Sequence, residues 1–277
     1  MKVKNLLDNT TEIPQNEPQM KLPIEVFMPW ANIIVKFKIP DEIFEELQKM
    51  YEYTMKDWKS FGLQLVGQVE EEPEVTMEIQ QKFPRWSSFC LECVNNFVIT
   101  QRQINFAAEP EKFKIQEFRN ELLSKINTMW FVRQKPGEYN PMHIHTNCKV
   151  SAIAYLKTPK QQVKGRKDHY LADGKVTFSN NMGTDSAFSN YQCSFEPKPG
   201  DMYVFPALQH HMVWPYRSAN PDDSRVSLSF NADYTSESKL IEEQKMQEQM
   251  YQDMKKHKES EVKNDKSTDV SDINKSG

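Results

Sequence analysis

The apolar positions of the chain follow one period before about residue 127 and another after it. Behind Pro40-Asp41, the residues Ile43, Phe44, Leu47, Met50 and Tyr51 fall at i, i+1, i+4, i+7 and i+8, which predicts a helix. Helical spacing recurs from Ser87 to Ile99 and from Phe113 to Ile126, the second placing Ile115, Phe118, Leu122 and Ile126 on one side. After Asn127 short β-rich runs take over: TMWFVRQ, VSAIAYL, KVTFSN, CSFEP, MYVFP and RVSLSFNADY, separated by turn signals such as PGEYN, KTPK, NMG and KPGD. Strands this short and this closely spaced predict an all-β sandwich or barrel.

The ends are polar. Residues 1–22 hold few large apolar side chains and predict a flexible arm. Order is expected to begin with the run FMPWANIIVKF (Phe27 to Phe37), an entry segment followed by a strand. Residues 67–80 read as an acidic connection. From Ser236 the apolar content collapses, and Leu240, Ile241, Met246, Met250 and Met254 give only a weak stripe, so a frayed helix running into disorder is expected. The organisation that follows is an arm (1–22), one folded domain (23–235) with a helical part (23–126) and a β core (127–235), and a charged tail (236–277). No internal repeat is visible.

Composition narrows the function classes. Charged residues make up 27% of the 277 positions and apolar ones 38%, as polar ends around a folded middle require. A net charge of −4 argues against nucleic-acid binding through bulk positive charge. No run of eighteen apolar residues offers a membrane span, and the opening MKVKNLLDNTTEIPQ lacks the apolar centre of a secretory signal, so the expected compartment is the cytoplasm, without membrane or nucleic-acid partners. Four cysteines are too few for a disulfide framework. Cys90 and Cys93 form a lone CxxC, but Phe89, Cys93 and Phe97 stand four apart, which predicts buried positions on a helix.

The candidate chemistry lies in the histidines. Four of the six stand in two tight pairs within the β-rich segment: His143 and His145 in NPMHIHTN, His210 and His211 in FPALQHHMVWP. On an extended chain His143 and His145 project to the same side. Two imidazoles on one face suit one metal ion, and His211 from a distant strand is the candidate third ligand of a facial set with open positions. Imidazole suits iron, zinc, copper or nickel alike, and the pair also fits an ordinary strand. His169 and His257 lie in polar surroundings and read as solvated. Fourteen residues beyond His211, the run RVSLSFN puts Arg225, Ser227 and Ser229 on one face and Val226, Leu228 and Phe230 on the other. An inward arginine is costly unless it meets an anion, and a guanidinium forks onto a carboxylate. The competing reading pairs Arg225 with Asp222 or Asp223 at the strand end.

The segment from about residue 125 to 234 resembles the iron(II)- and 2-oxoglutarate-dependent oxygenases, specifically a group met in phage and bacterial genomes. The resemblance rests on an ordered set: Gly137-Glu138-Tyr139-Asn140, His143-Ile144-His145, Ser151 to Tyr155-Leu156, Gly200-Asp201 to Phe205-Pro206, His211, and Arg225 to Asn231. It implies a mainly β fold with flanking helices: a double-stranded β-helix core (jelly roll, cupin-like) with an α-helical N-terminal part. It also implies Fe(II), 2-oxoglutarate as co-substrate, O2, and an anchor for the 2-oxoglutarate carboxylate made by Arg225 with Ser227 and the Tyr155 hydroxyl. The implied reaction couples oxidative decarboxylation of 2-oxoglutarate to hydroxylation of a substrate, with a peptidyl side chain such as proline among the candidates. If the chain is phage-encoded, the compartment becomes the host cytoplasm.

One departure bears on the metal. The family's usual ligand set is His-x-Asp/Glu plus a distal His, and no acid stands at the third position here. With His143 first, His145 takes the carboxylate's place; with His145 first, Asn147 does, leaving two protein ligands and water. The stretch HTNCK also resembles the aspartyl β-hydroxylase type, which does without the carboxylate. The set His143, His145 and His211 fits the open-site spacing better. Trp130, Trp214 and Tyr139 are candidates for the substrate mouth, shaped by the acidic 67–80 connection and by a 160–175 insertion carrying Lys160, Lys164, Arg166 and Lys167. Two other classes stay open. A cupin-like metal-binding protein would bind metal without 2-oxoglutarate chemistry. A non-catalytic phage structural or interaction protein would need the histidines for stability alone.

Overall fold

The computed structural model describes residues 32–107, 110–159, 172–180 and 191–268, the last stretch with side chains through 255. The arm 1–22, the first residues of the Phe27 run, the four cations of the 160–175 insertion and His169 lie outside the described residues, as does the chain beyond 268. In chain order the elements are β1 (Val35–Lys38), α1 (Asp41–Thr54), α2 (Met77–Lys82), α3 (Pro84–Asn105), α4 (Ile115–Glu121), β2 (Leu122–Gln134), β3 (Asn140–His143), β4 (Val150–Lys157), β5 (Val176–Ser179), β6 (Gln192–Phe195), β7 (Asp201–Pro206), β8 (His211–Val213), β9 (Arg225–Ser236) and α5 (Glu237–Thr268).

Two antiparallel sheets form the core, ordered β1-β7-β4-β9-β2 and β3-β8-β5-β6. This is the jelly-roll arrangement with helices outside it. The helices cover one face of the five-stranded sheet because strand alternation sends its apolar set there. Val226, Leu228, Phe230 and Ala232 of β9, with Ala152 and Ala154 of β4 and Met129 and Phe131 of β2, join Leu47 and Met50 of α1 and Trp86, Val94 and Phe97 of α3 in one buried cluster. α1 begins at Asp41 directly behind Pro40 and buries Ile43, Leu47 and Met50. Cys90 and Cys93 belong to the same cluster as free thiols, and burial pushes Cys93 up to about 12. Their helical positions explain the lone CxxC without redox or metal chemistry.

The opposite face of that sheet is much more polar. Its positions include Gln134 of β2, Ser151 and Tyr155 of β4, and Arg225, Ser227, Ser229 and Asn231 of β9. Among the described residues two small apolar clusters form on this side, Val176, Phe178, Phe205 and Val213, and Phe61, Trp130 and Val132. The layout therefore turns polar side chains of β4 and β9 toward the space between the sheets.

The last helix before the strands is shorter than its spacing predicts. α4 stops at Glu121, and Leu122 to Ile126 already belong to β2, paired with Ser236 to Ala232 of β9. Leu122 and Ile126 are four apart, an interval shared by a helical face and by period-two alternation, so their spacing could not distinguish the two. The long β9 partner decides the contest, and the β part begins at 122 instead of 127. The free edge of β2 is covered by the acidic connection. Val75 donates its N–H to the Met129 carbonyl at 2.9 Å, Phe131 to Pro73 at 2.8 Å and Arg133 to Glu71 at 2.9 Å. That ladder closes an edge that would otherwise expose unpaired backbone groups. α5 continues from β9 as a helix of 32 residues, solvent-exposed from Glu237 through Lys255, which is longer than a frayed stripe suggests.

Candidate active site

His143 closes β3, His211 opens β8, and the two are directly paired in the sheet. His145 lies two residues past the end of β3, where its backbone N–H is held by the Ala207 carbonyl at 2.8 Å. These three histidines form the one group of potential metal ligands among the described residues, with their ligand atoms within 4.8 Å of one another. His145 Nε2 and His211 Nε2 stand 3.3 Å apart. Two nitrogens each about 2.1 Å from a common ion would lie roughly 3.0–3.4 Å apart at right-angled to tetrahedral geometry.

Backbone carbonyls hold two of the rings in place. His143 Nδ1 lies 2.7 Å from the Pro141 carbonyl and His211 Nδ1 lies 2.9 Å from the Gln209 carbonyl. A carbonyl can only accept, so each Nδ1 carries the proton and each Nε2 presents its lone pair. Burial favours the neutral rings. It depresses His143, it takes His145 down to about 4 with His143 adding to the effect and Asn231 opposing it, and it holds His211 well below its usual range with the neighbouring histidines contributing. At neutral pH the three nitrogens are free to ligate. Asn147 adopts a left-handed backbone (φ 59°) and is not among the residues lining the pocket that holds the three histidines.

Arg225 sits at the deep end of the same inner face, 2% exposed. Its Nη1 donates to the Gly174 carbonyl at 2.6 Å and its Nη2 to Gln134 Oε1, while its guanidinium carbon lies 5.9 Å from the Tyr216 ring centre. No carboxylate pairs with it among the described residues. The strand-end partnership with Asp222 or Asp223 does not form; Tyr216 instead donates its hydroxyl to the Asp223 carbonyl, and to that of Gln134, at 2.8 Å each. Ser227 is cross-strand from Tyr155, and both are buried. The Tyr155 hydroxyl has no hydrogen-bond partner among the described residues. Burial raises it and the nearby Arg225 charge opposes that rise. A buried cation and a buried orphan hydroxyl together describe a cradle for an anion that accepts hydrogen bonds.

The pocket reaches outward from the histidines between Trp130, Leu65, Val132, Ile144 and Ser229, and the 60–76 segment forms one wall. Trp130 stacks on Phe61 at 5.2 Å and on His145 at 6.0 Å. Of the other aromatic candidates for the mouth, Trp214 is engaged with Thr177 Oγ1 at 2.8 Å and Tyr139 is partly exposed outside the lining. Three residues escaped the sequence reading. Gln134 and Tyr216 grip Arg225, and Glu72 lines the pocket. Gln134 carried a signal, since it is a polar residue at an inward position after Trp130 and Val132.

Residues 128–231 match the family described as "Putative 2OG-Fe(II) oxygenase". The match spans the strand positions of His143, His211 and Arg225. The family depends on Fe(II), 2-oxoglutarate and O2, and the histidine cluster and the Arg225 cradle lie within the matched residues. No curated protein matches the sequence. Among solved structures the chain is similar to a 2OG-Fe(II) oxygenase-family oxidoreductase from Burkholderia pseudomallei, at 15% identity and a TM-score of 0.30, over 50% of this chain and 56% of that one. It is also similar to a prolyl-4-hydroxylase from Pseudomonas putida, at 14% identity and TM-score 0.38, over 72% and 91% of the two chains. The viral collagen prolyl hydroxylase of Paramecium Bursaria Chlorella virus-1, in its 2OG complex, is similar at 11% identity and TM-score 0.36, over 72% and 94%. The chain thus spans little more than half of the first of these structures. No described helix is long and apolar enough to cross a membrane.

Proposed function

We propose that this chain is a hydroxylase in which His143, His145 and His211 hold Fe(II) and Arg225, Ser227 and Tyr155 hold 2-oxoglutarate. The observation that carries the reading is the pairing of two features on one inner face. Three neutral imidazoles converge at the mouth, and a buried arginine with no carboxylate partner among the described residues waits at the far end.

The residues divide the work. Pro141 and Gln209 carbonyls fix the tautomers of His143 and His211, so ligation needs no proton rearrangement. Gln134 and the Gly174 carbonyl occupy two Arg225 donors and aim the fork, leaving the others for the distal carboxylate. Ser227 and Tyr155 add neutral donors beside it, and the buried walls exclude water, which strengthens each of these contacts. When bound, iron and 2-oxoglutarate supply the oxidising chemistry with O2. Trp130 and the 60–76 segment shape the space from which a substrate meets the metal. We take residues 23–235 as one domain in this reading, since the helices and the five-stranded sheet share a single buried cluster.

An anaerobic titration tests it. Apoprotein receives Fe(II) and then 2-oxoglutarate while the visible spectrum is followed for the metal-to-ligand charge-transfer band. A band that needs both additions, is absent in His211→Ala and weakens in Arg225→Leu is expected. Iron binding without a band would favour a cupin-like metal protein. Absence of iron binding would return the histidines to a structural role.

A further inference from the structure

Glu72 is the one buried carboxyl that lines the pocket holding the three histidines. It is 2% exposed, and its Oε1 has no hydrogen-bond partner among the described residues. Its neighbours in the acidic run behave differently. Glu71 pairs with Arg133 at 2.8 Å and Lys135 at 3.1 Å, and Glu70 pairs with Lys135 at 2.7 Å. Because the segment runs extended along the β2 edge, alternation turns Glu72 away from those cations and into the pocket.

The surroundings make room for this carboxyl without satisfying it. A Cβ at Gly62 would stand 2.9 Å from its Oε2, and one at Gly67 would stand 3.0 Å from its Oε1 and far inside contact distance of Asn140. Two glycines therefore leave the space the carboxyl occupies. Beyond it lie Trp130 and the apolar Leu65 and Val132. Burial raises Glu72 to about 7, with the like charge of Glu138 adding to it, and no cation pairs with it among the described residues. An unpaired buried carboxyl costs stability, and a fold that places one on a pocket wall gains from it only when a ligand supplies the partner.

We propose that Glu72 selects the substrate, and that the group it receives is a cationic nitrogen, an ammonium or guanidinium on an apolar stem. The stem fits against Leu65 and Val132, and the charge meets Glu72. This substrate class departs from the prolyl expectation, because a prolyl ring carries no charge for Glu72 to pair with. The proposal rests on the oxygenase reading.

The test uses n-butylammonium as probe and n-butanol as its uncharged counterpart. Each is titrated into protein loaded with Mn(II) and 2-oxoglutarate, and relaxation of the probe protons by the metal reports binding near the site. The Fe(II)–2-oxoglutarate band is recorded beforehand on the same preparations. The expected result is that n-butylammonium binds roughly 10- to 100-fold more tightly than n-butanol. Glu72→Gln, which keeps shape and loses charge, should abolish the difference, and Glu72→Asp should keep part of it. Equal binding of the two probes, or a preference unchanged in Glu72→Gln, overturns the cation proposal while a normal band leaves the oxygenase reading standing. Loss of the band in the unaltered protein overturns the oxygenase reading and the substrate class with it.

Discussion

The two faces of β9 differ in one respect that organises the whole molecule. On one, Val226, Leu228, Phe230 and Ala232 are packed under the helices with almost no exposure. On the other, Arg225, Ser227, Ser229 and Asn231 are about as buried or nearly so, yet their polar atoms are only partly used within the protein. Burial alone therefore does not distinguish a core from a site. The distinction is whether the buried groups are satisfied by each other. At those positions the outer face of β9 carries only apolar side chains, whereas among the described residues the inner face holds a cation without an anion, a tyrosine hydroxyl without a partner and three converging lone pairs.

That contrast predicts different consequences for changes at the site and in the outer core. The largest effect is expected at the histidines. His211→Ala should weaken Fe(II) binding more than 100-fold, a loss beyond the 10–100-fold typical when only a ligand's supporting partner is removed, and equilibrium dialysis against an iron chelator reads it. On the helix-covered face of the five-stranded sheet, Leu228→Ala should cost about 2–5 kcal/mol of unfolding free energy in urea denaturation. Iron affinity per folded molecule should stay as it was.

A pH-dependent difference is expected at Glu72. Its folded-state pKa of about 7 lies above the ordinary 4.5. The folded state therefore binds the proton more tightly, so the associated stability is fully present below pH 4.5 and is lost as pH rises through 7. Glu72→Gln removes this burden, and the apoprotein variant should gain roughly 1–3 kcal/mol relative to the parent at pH 8 and much less at pH 5. Urea curves at the two pH values check the sign. A gain at pH 5 equal to that at pH 8 would mean that Glu72 is already satisfied. The smallest effect is expected at Ser227→Ala, where one neutral hydrogen bond to the co-substrate is lost: about fivefold in 2-oxoglutarate affinity by calorimetry.

Much of this was legible in the chain. His143 and His145 announced themselves because strand alternation forces equal-parity neighbours to one side, and Arg225-x-Ser227 did so because an arginine opposite an apolar face needs a reason. The outer core was legible for the same cause, since Leu47, Met50 and Phe97 follow the helical period that packing requires. Leu122 to Ile126 misled because an interval of four satisfies both periods, and only the distant β9 partner resolves it. Gln134 and Tyr216 were hidden because their role depends on reaching Arg225 across 91 and 9 residues of sequence, a closeness that topology alone creates. Glu72 was hidden inside an acidic run that reads as solvated, and only the edge ladder along β2 turns it inward.

The central claim is that the inner face is a co-substrate site and the outer face a core, and one paired measurement addresses it. Arg225→Leu and Leu228→Ala are each loaded anaerobically with Fe(II), then examined for 2-oxoglutarate affinity by calorimetry and for unfolding free energy by urea denaturation. The account predicts opposite losses. Arg225→Leu should lose 2-oxoglutarate binding by about 100-fold while keeping its stability, because an unpaired buried cation is replaced by an apolar side chain. Leu228→Ala should lose stability and keep the affinity. If Arg225→Leu binds 2-oxoglutarate as the parent does, or loses stability as Leu228→Ala does with no selective loss of affinity, the inner face is structural and the account is contradicted.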